Sequence, residues 1–332
     1  MFSKFINLNQ LLSGYFLSRL TRRVISWGSP ASLSIEPTNF CNLHCPECPG
    51  GMNLLTRDKG IMDFHLYKNL VSQISPSLFY LNLCFQGEPY LHPQFTEMVK
   101  IAKSKKIFVS TTTNGHYLTP ENAKATVESG LDNLIISLDG TDAVSYEKYR
   151  VGGNFSEVIT GIKEIVRQKK EAGSKKPMVI LQFLLLKSNQ HQVKDIRKFG
   201  KELGADKVEL KTAQFCEFRK GNPLMPDDPK FSRYKKSKTD PEGHTLYEIR
   251  NRLPNHCFRM WSSCVVTWDG FVVPCCFDKD AAYRMGNLDE NSFSEIWKNE
   301  TFREFRKKIL SSRKSIDICI NCTEGMGITY LL

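Results

Sequence analysis

Three cysteines within eight residues, Cys41, Cys45 and Cys48, stand out as the chemically capable feature of this 332-residue chain. Their C-x3-C-x2-C spacing puts three soft thiolates in one loop, Thr38–Gly51, directly after a short apolar run. Three thiolates can hold three irons of a four-iron, four-sulfur cube and leave the fourth iron open to a small molecule. A purely electron-carrying cluster takes four protein ligands. So does a structural zinc, and the loop offers a fourth ligand only if His44 is counted.

A second set lies near the C-terminus: Cys257, Cys275 seventeen intervening residues later, and Cys319-x2-Cys322. Four thiolates drawn from distant points can close a complete four-iron site, or a zinc site. Cys276 stands beside Cys275 and is an alternative ligand; Cys84, Cys216, Cys264 and Cys276 otherwise read as buried thiols. The first thirty residues do not form a signal peptide, because Lys4, Asn7, Asn9, Gln10 and Arg19 interrupt the apolar positions and no small-residue cleavage site follows. A cytoplasmic location is therefore expected, where clustered cysteines read as metal ligands rather than disulfides.

The formal charge of +11 falls to about +8 once clusters on three and four thiolates add their negative charge. Lys and Arg are dispersed apart from a knot at Arg233, Lys235, Lys236 and Lys238, so no nucleic-acid partner is expected. At the N-terminus, Phe2, Phe5, Ile6, Leu8, Leu12, Tyr15, Phe16, Leu20 and Val24 recur near helical spacing, followed by Arg22 and Arg23. This predicts a lead helix over 1–30 packed on the main domain, with contact at a membrane surface as the alternative.

The elements that must position these thiols alternate in type from Ser32 to Thr212. Strands are expected at Leu33–Glu36, Tyr80–Phe85, Ile107–Thr112, Leu134–Leu138, Val179–Leu186 and Lys207–Lys211. Helices are expected at Phe64–Ile74, Pro93–Ser104, Pro120–Ser129, Phe155–Lys170 and Gln192–Leu203. Six such units predict an α/β fold with a parallel sheet, a partial (β/α)6 TIM-like barrel short of the eight units of a closed one. Within the strands, Leu81, Leu83 and Phe85 share one face and Asn82, Cys84 and Gln86 the other. Ser110 with Thr112, Ser137 with Asp139, and Glu209 with Lys211 repeat the polar face, which predicts a ligand cavity toward the strands' C-terminal ends. The expected organisation is a core over 31–215, a polar connector over 216–256, and a small cysteine-rich α+β domain over 257–332.

The three-cysteine loop after the first strand resembles that of the radical S-adenosylmethionine (SAM) superfamily, over about Ser32–Gln214. Gln86-Gly87-Glu88-Pro89 looks like the family's segment that holds the SAM amino group; a glycine admits the ligand to the backbone and a carboxylate suits an ammonium. Asn114 in Thr113-Asn114-Gly115, and Ser137 with Asp139 in Ser137-Leu138-Asp139-Gly140, resemble the ribose-binding strand ends, and Arg150 the arginine that meets the SAM carboxylate. One departure is Glu47, where the family often has an aromatic residue before the last cysteine. The stretch 257–322 resembles the SPASM auxiliary-cluster extension in its short, one-cluster "twitch" form, with Cys257, Cys275, Cys319 and Cys322 as ligands.

The resemblance implies a [4Fe-4S] cluster on Cys41, Cys45 and Cys48, SAM on its open iron, one auxiliary [4Fe-4S] cluster, and a flavodoxin- or ferredoxin-type electron donor. It implies reductive cleavage of SAM to a 5′-deoxyadenosyl radical that takes hydrogen from a small-molecule or peptide substrate. An aminocyclitol dehydrogenase of butirosin biosynthesis has a similar one-cluster extension, which favours net oxidation over peptide maturation. Glu209 and Lys211, with Gln182 and Gln214, are candidates for substrate contact or proton removal. A zinc-stabilised binding protein is the reading of another class.

Overall fold

The computed structural model describes residues 2–323; the last nine residues of the expected C-terminal domain lie outside them. A helix, α1 (Phe2–Thr21), precedes the alternating series. The series runs β1 (Ser32–Ile35), α2 (Phe64–Ile74), β2 (Tyr80–Asn82), α3 (Phe95–Ser104), β3 (Phe108–Thr113), α4 (Pro120–Glu128) and β4 (Asn133–Ser137). It continues with α5 (Ala143–Tyr149), α6 (Phe155–Glu171), β5 (Met178–Leu185), α7 (Asp195–Glu202) and β6 (Lys207–Thr212). The helix starts are written locally: Asp63, Thr119, Asp142 and Asn154 each accept a hydrogen bond from an amide of the first turn, and Pro120 occupies the first turn of α4.

β1 to β6 pair in parallel and in order, the partial barrel expected from six β/α units. Leu81, Val109, Leu134, Ile136, Leu181 and Phe183 are buried against the helices, which cover that face. The opposite face carries Ser34, Asn82, Ser110, Ile135, Ser137, Gln182 and Glu209, which the register aligns across the strands.

Two details within the barrel differ from the sequence expectation. β2 ends at Asn82, whose Nδ2 donates to the Cys84 carbonyl at 2.8 Å. The alternation breaks there, so Phe85 leaves the Leu81/Leu83 face and packs with Val265, Val273, Ala281 and Cys276. The seven-residue α5 was not expected from periodicity; its sequence signal is the Asp142 cap with Tyr146 and Tyr149 on one buried side.

The segment 216–256 contains a hairpin, β7 (Tyr234–Thr239) with β8 (Thr245–Ile249). Beyond it come α8 (Arg259–Ser262), β9 (Ser263–Val266), β10 (Phe271–Val273), β11 (Gly286–Asn287), α9 (Phe293–Lys298), α10 (Glu300–Ser312) and α11 (Asp317–Ile320). β9 pairs in parallel with β1, and β10 and β11 follow antiparallel. Among the described residues the sheet is therefore nine-stranded, β11-β10-β9-β1-β2-β3-β4-β5-β6. The cysteine-rich segment thus extends the sheet that carries the first cysteine loop.

α1 packs on the domain with an unexpected face. Asn7, Leu11, Gly14 and Ser18 are buried, whereas Phe2, Phe5, Ile6, Leu12, Phe16 and Leu20, expected against the domain, are exposed. The reason is close approach: a Cβ on Gly14 would lie 2.8 Å from the Ile25 carbonyl oxygen, and one on Gly28 2.8 Å from the Leu11 nitrogen. Large side chains do not fit between these backbones.

Candidate active site and auxiliary cysteine site

The first cysteine loop is fastened at both ends. Glu36, the residue after β1, and Arg57, near the loop's end, form a two-pronged ion pair at 2.5 and 2.6 Å, with both side chains buried. Arg57 Nε also donates to the Lys279 carbonyl at 3.3 Å, and Asp280 accepts from the Thr56 amide and hydroxyl at 2.7 and 2.6 Å. The loop that follows Cys275 and Cys276 is thereby tied to the loop of Cys41, Cys45 and Cys48. Nothing in the sequence pattern marks Glu36 or Arg57, because their pairing depends on how the loop returns.

The Gly87-Glu88-Pro89 segment docks against the same loop. Gly87 has φ +74°, and a Cβ there would lie 2.5 Å from the Thr38 carbonyl oxygen, so the close approach requires glycine. The Glu88 amide donates to the Phe40 carbonyl at 2.7 Å. Its carboxylate turns inward, accepting from the Asn114 amide at 2.7 Å, the Thr113 hydroxyl at 2.8 Å and the Tyr90 amide at 3.3 Å. Burial pushes its pKa up to about 7 despite these donors. Glu88 thus joins β3's end to the glycine segment, a role that the expected ammonium contact did not include. Pro89 opens a single 3-10 turn behind it.

Asn114 faces the thiols, with Nδ2 at 2.7 Å from Asn42 Oδ1 and 3.9 Å from Cys41 Sγ. Arg150, at the end of α5, has Nη1 at 3.8 Å from Cys45 Sγ. Its Nε donates to Asp139 at 2.6 Å, and the other Asp139 oxygen accepts from the Leu184 amide at 2.7 Å. Asp139 is fully buried and holds Arg150; the guanidinium's pKa is driven further up chiefly by that carboxylate, against the cost of burial. Ser137 lies beside Gln182 at the C-terminal end of β4. Glu47, with φ +122°, accepts from the Cys216 amide at 2.7 Å and Asn222 Nδ2 at 2.8 Å. The residue that departs from the aromatic pattern therefore straps segment 216–222 to the cysteine loop. Burial raises the Cys41 thiol to about 11 and also raises Cys45, while Arg150 favours the Cys45 thiolate.

Glu209 and Lys211 share one face of β6 but take different partners. Glu209 is paired with Lys207 at 2.7 Å. Lys211 Nζ reaches Gln182 Oε1 at 3.3 Å. Loss of surrounding water, with the positive charges of Arg233 and Lys279, lowers its pKa. Gln214 is half-buried.

Cys257, Cys275, Cys319 and Cys322 line one small cavity with Met260, Phe277, Phe305, Ile309 and Arg313. Arg313 Nη2 donates to Cys322 Sγ at 3.3 Å. Cys276 is not part of this lining, although Arg259, which is, has its Nη1 at 3.4 Å from the Cys276 sulfur; Cys264 is buried in the core. Among the described residues, no three cysteine sulfurs come within 4.8 Å of one another. The chemistry of the donor sets suits iron–sulfur clusters: three thiols share one loop and four share one cavity lining.

The radical SAM superfamily profile matches residues 35–200. The chain belongs to that superfamily. Residues 257–323 match the SPASM family, described as an iron-sulfur cluster-binding domain. This radical SAM enzyme is 26% identical over 322 residues to a tungsten-containing aldehyde ferredoxin oxidoreductase cofactor-modifying protein of Pyrococcus furiosus, covering 88% of this chain and 86% of that one. It is 27% identical over 299 residues to a PqqA peptide cyclase of Streptomyces rochei, covering 84% and 79%. Among solved structures, BtrN in complex with AdoMet and 2-DOIA superposes with a TM-score of 0.55 at 21% identity, over 90% of this chain and 94% of that one. At that identity the likeness establishes the fold.

Proposed function

We propose that this radical SAM enzyme holds its SAM-binding cluster on Cys41, Cys45 and Cys48, and one auxiliary cluster on Cys257, Cys275, Cys319 and Cys322. In this reading the substrate loses one hydrogen atom to the 5′-deoxyadenosyl radical and then one proton and one electron, a net two-electron oxidation whose second electron an auxiliary cluster would accept. The carrying observation is the three-thiol loop flanked by Asn114 at 3.9 Å from Cys41 Sγ and Arg150 at 3.8 Å from Cys45 Sγ. The bound cluster and SAM together supply a hydrogen-abstracting radical. The protein's own part is positional. Gly87 lets the β2 end approach the cysteine loop, Glu88 fixes that end to Asn114, and Asp139 aims Arg150 at the site, where a guanidinium suits the SAM carboxylate. Ser137 offers a hydroxyl at the β4 end for the ribose. Lys211, rather than the ion-paired Glu209, is the side chain that meets substrate. Four thiols around one cavity, with Cys264 and Cys276 directed elsewhere, support a single auxiliary cluster.

Peptide modification is the second reading, favoured by the likeness to a peptide cyclase over 84% of the chain. The test is anaerobic reconstitution followed by iron analysis and SAM turnover with a chemical reductant. About eight irons per chain and 5′-deoxyadenosine formation are expected, and Cys45→Ala is expected to abolish the latter. Zinc in place of iron, or undiminished 5′-deoxyadenosine from Cys45→Ala, would refute the assignment.

A further inference from the structure

α1 is amphipathic in the reverse of the usual sense. Its domain-facing side is small and polar: Asn7, Leu11, Gly14 and Ser18. Asn7 exchanges two hydrogen bonds with Ser29, at 2.9 and 2.7 Å, and the Ser18 hydroxyl donates to the Gly14 and Ile25 carbonyls. The apolar residues point outward, with exposures of 81% for Phe2, 53% for Phe5, 44% for Ile6, 44% for Leu12, 64% for Phe16 and 70% for Leu20. At about 100° per residue they share an arc of about 120°, opposite the buried side. Trp27, just beyond the helix, is 56% exposed as well.

A helix that only buttresses the domain would bury its phenylalanines and leucines. This one is seated by backbone approach and polar contacts, and its apolar stripe is left over. The surrounding charge narrows what covers it. Arg19 and Arg23 are exposed beside it, Lys4 and Arg22 donate to carbonyls of the domain, and residues 1–35 contain no Asp or Glu. No helix among the described residues is long and apolar enough to cross a membrane, so the face can lie on a bilayer but not span it.

We propose that the Phe2–Leu20 face of α1 docks on an anionic lipid surface, its apolar side chains entering the headgroup boundary and the neighbouring basic residues meeting lipid phosphates. The inference is independent of the reaction proposed above and places a radical enzyme at the membrane surface.

The test uses the full-length reconstituted protein and flotation with two kinds of vesicle: phosphatidylcholine alone, and phosphatidylcholine with about 30% phosphatidylglycerol. Binding to the anionic vesicles is expected to be at least about tenfold tighter than to the neutral ones, and to weaken in about 0.5 M salt. The double variant Phe16→Ser/Leu20→Ser replaces two exposed side chains and is expected to keep the circular dichroism spectrum and melting temperature while losing at least about tenfold in vesicle binding. A second variant, Arg19→Gln/Arg23→Gln, is expected to erase the preference for anionic vesicles. Failure of the wild-type protein to float with anionic vesicles, or equal flotation of Phe16→Ser/Leu20→Ser, would overturn the proposal. So would a wild-type dimer, seen by light scattering, that this variant makes monomeric while neither binds vesicles; the face would then belong to a second copy of the chain.

Discussion

Arg57→Leu breaks the buried clamp between the two cysteine loops, and its cost follows from the bonds that the guanidinium makes. The Glu36 carboxylate has no solvent exposure and would be stripped of both guanidinium bonds, at 2.5 and 2.6 Å. Leaving one charge of a buried pair uncompensated costs about 3–5 kcal/mol. The bond to the Lys279 carbonyl adds about 1 kcal/mol, and the guanidinium over the Phe85 ring, 5.7 Å from its centroid, a fraction more. A total of about 4–6 kcal/mol corresponds to about 10³- to 10⁴-fold in the unfolding equilibrium. Urea denaturation of the reduced apoprotein measures it. Glu36→Gln/Arg57→Leu removes the orphaned charge while keeping an acceptor for the Trp268 amide, and is expected to regain about 2–3 kcal/mol relative to the sum of the single variants. Because Lys279 and Asp280 follow Cys275 and Cys276, Arg57→Leu is also expected to lower iron retention at both thiol sets. A loss below about 1 kcal/mol, or a double variant as unstable as the summed singles, would refute the reasoning that the pair is a stabilising clamp.

Two further outcomes follow from the site. Glu88 has its pKa raised from 4.5 to about 7 in the folded protein, so the folded state binds the extra proton between those values and stability falls as pH rises through that window. At most about 3 kcal/mol is lost between pH 5 and 8, and Glu88→Gln is expected to flatten that dependence in thermal melts of the apoprotein. Cys275→Ser is expected to reduce reconstituted iron to about four per chain, whereas Cys276→Ser, whose sulfur lies outside the auxiliary cavity, is expected to keep about eight; the reverse pattern in iron analysis would exchange the two ligands.

Much of the site was legible in the residues because its signals are local. The Cys41, Cys45 and Cys48 spacing and the strand ends at Asn114 and Ser137 each depend on a few neighbouring residues, and six β/α periods were enough to order β1 to β6. Long-range pairings were not legible. The preference for Cys275 over Cys276 rests on a resemblance, and in the fold Cys275 lines the auxiliary cavity whereas Cys276 does not. Glu209 and Lys211 share a strand face by alternation, yet Lys207 engages one and leaves the other facing Gln182.

By itself, the sequence determined the β/α series, the three-thiol loop and the amphipathic N-terminal helix, because period, spacing and turn chemistry act over a few residues. Tertiary structure decided which loops are clamped together and which way the amphipathic helix faces. The joining of Glu36 to Arg57 depends on how the cysteine loop returns, and that of Thr56 to Asp280 accompanies the pairing of β9 with β1, whose partners lie more than two hundred residues apart. The outward turn of Phe16 and Leu20 follows from Gly14 and Gly28, whose missing side chains let two backbones meet where an apolar face was expected. Hydrophobic periodicity shows that a helix has an apolar face; the packing partner decides whether that face is buried.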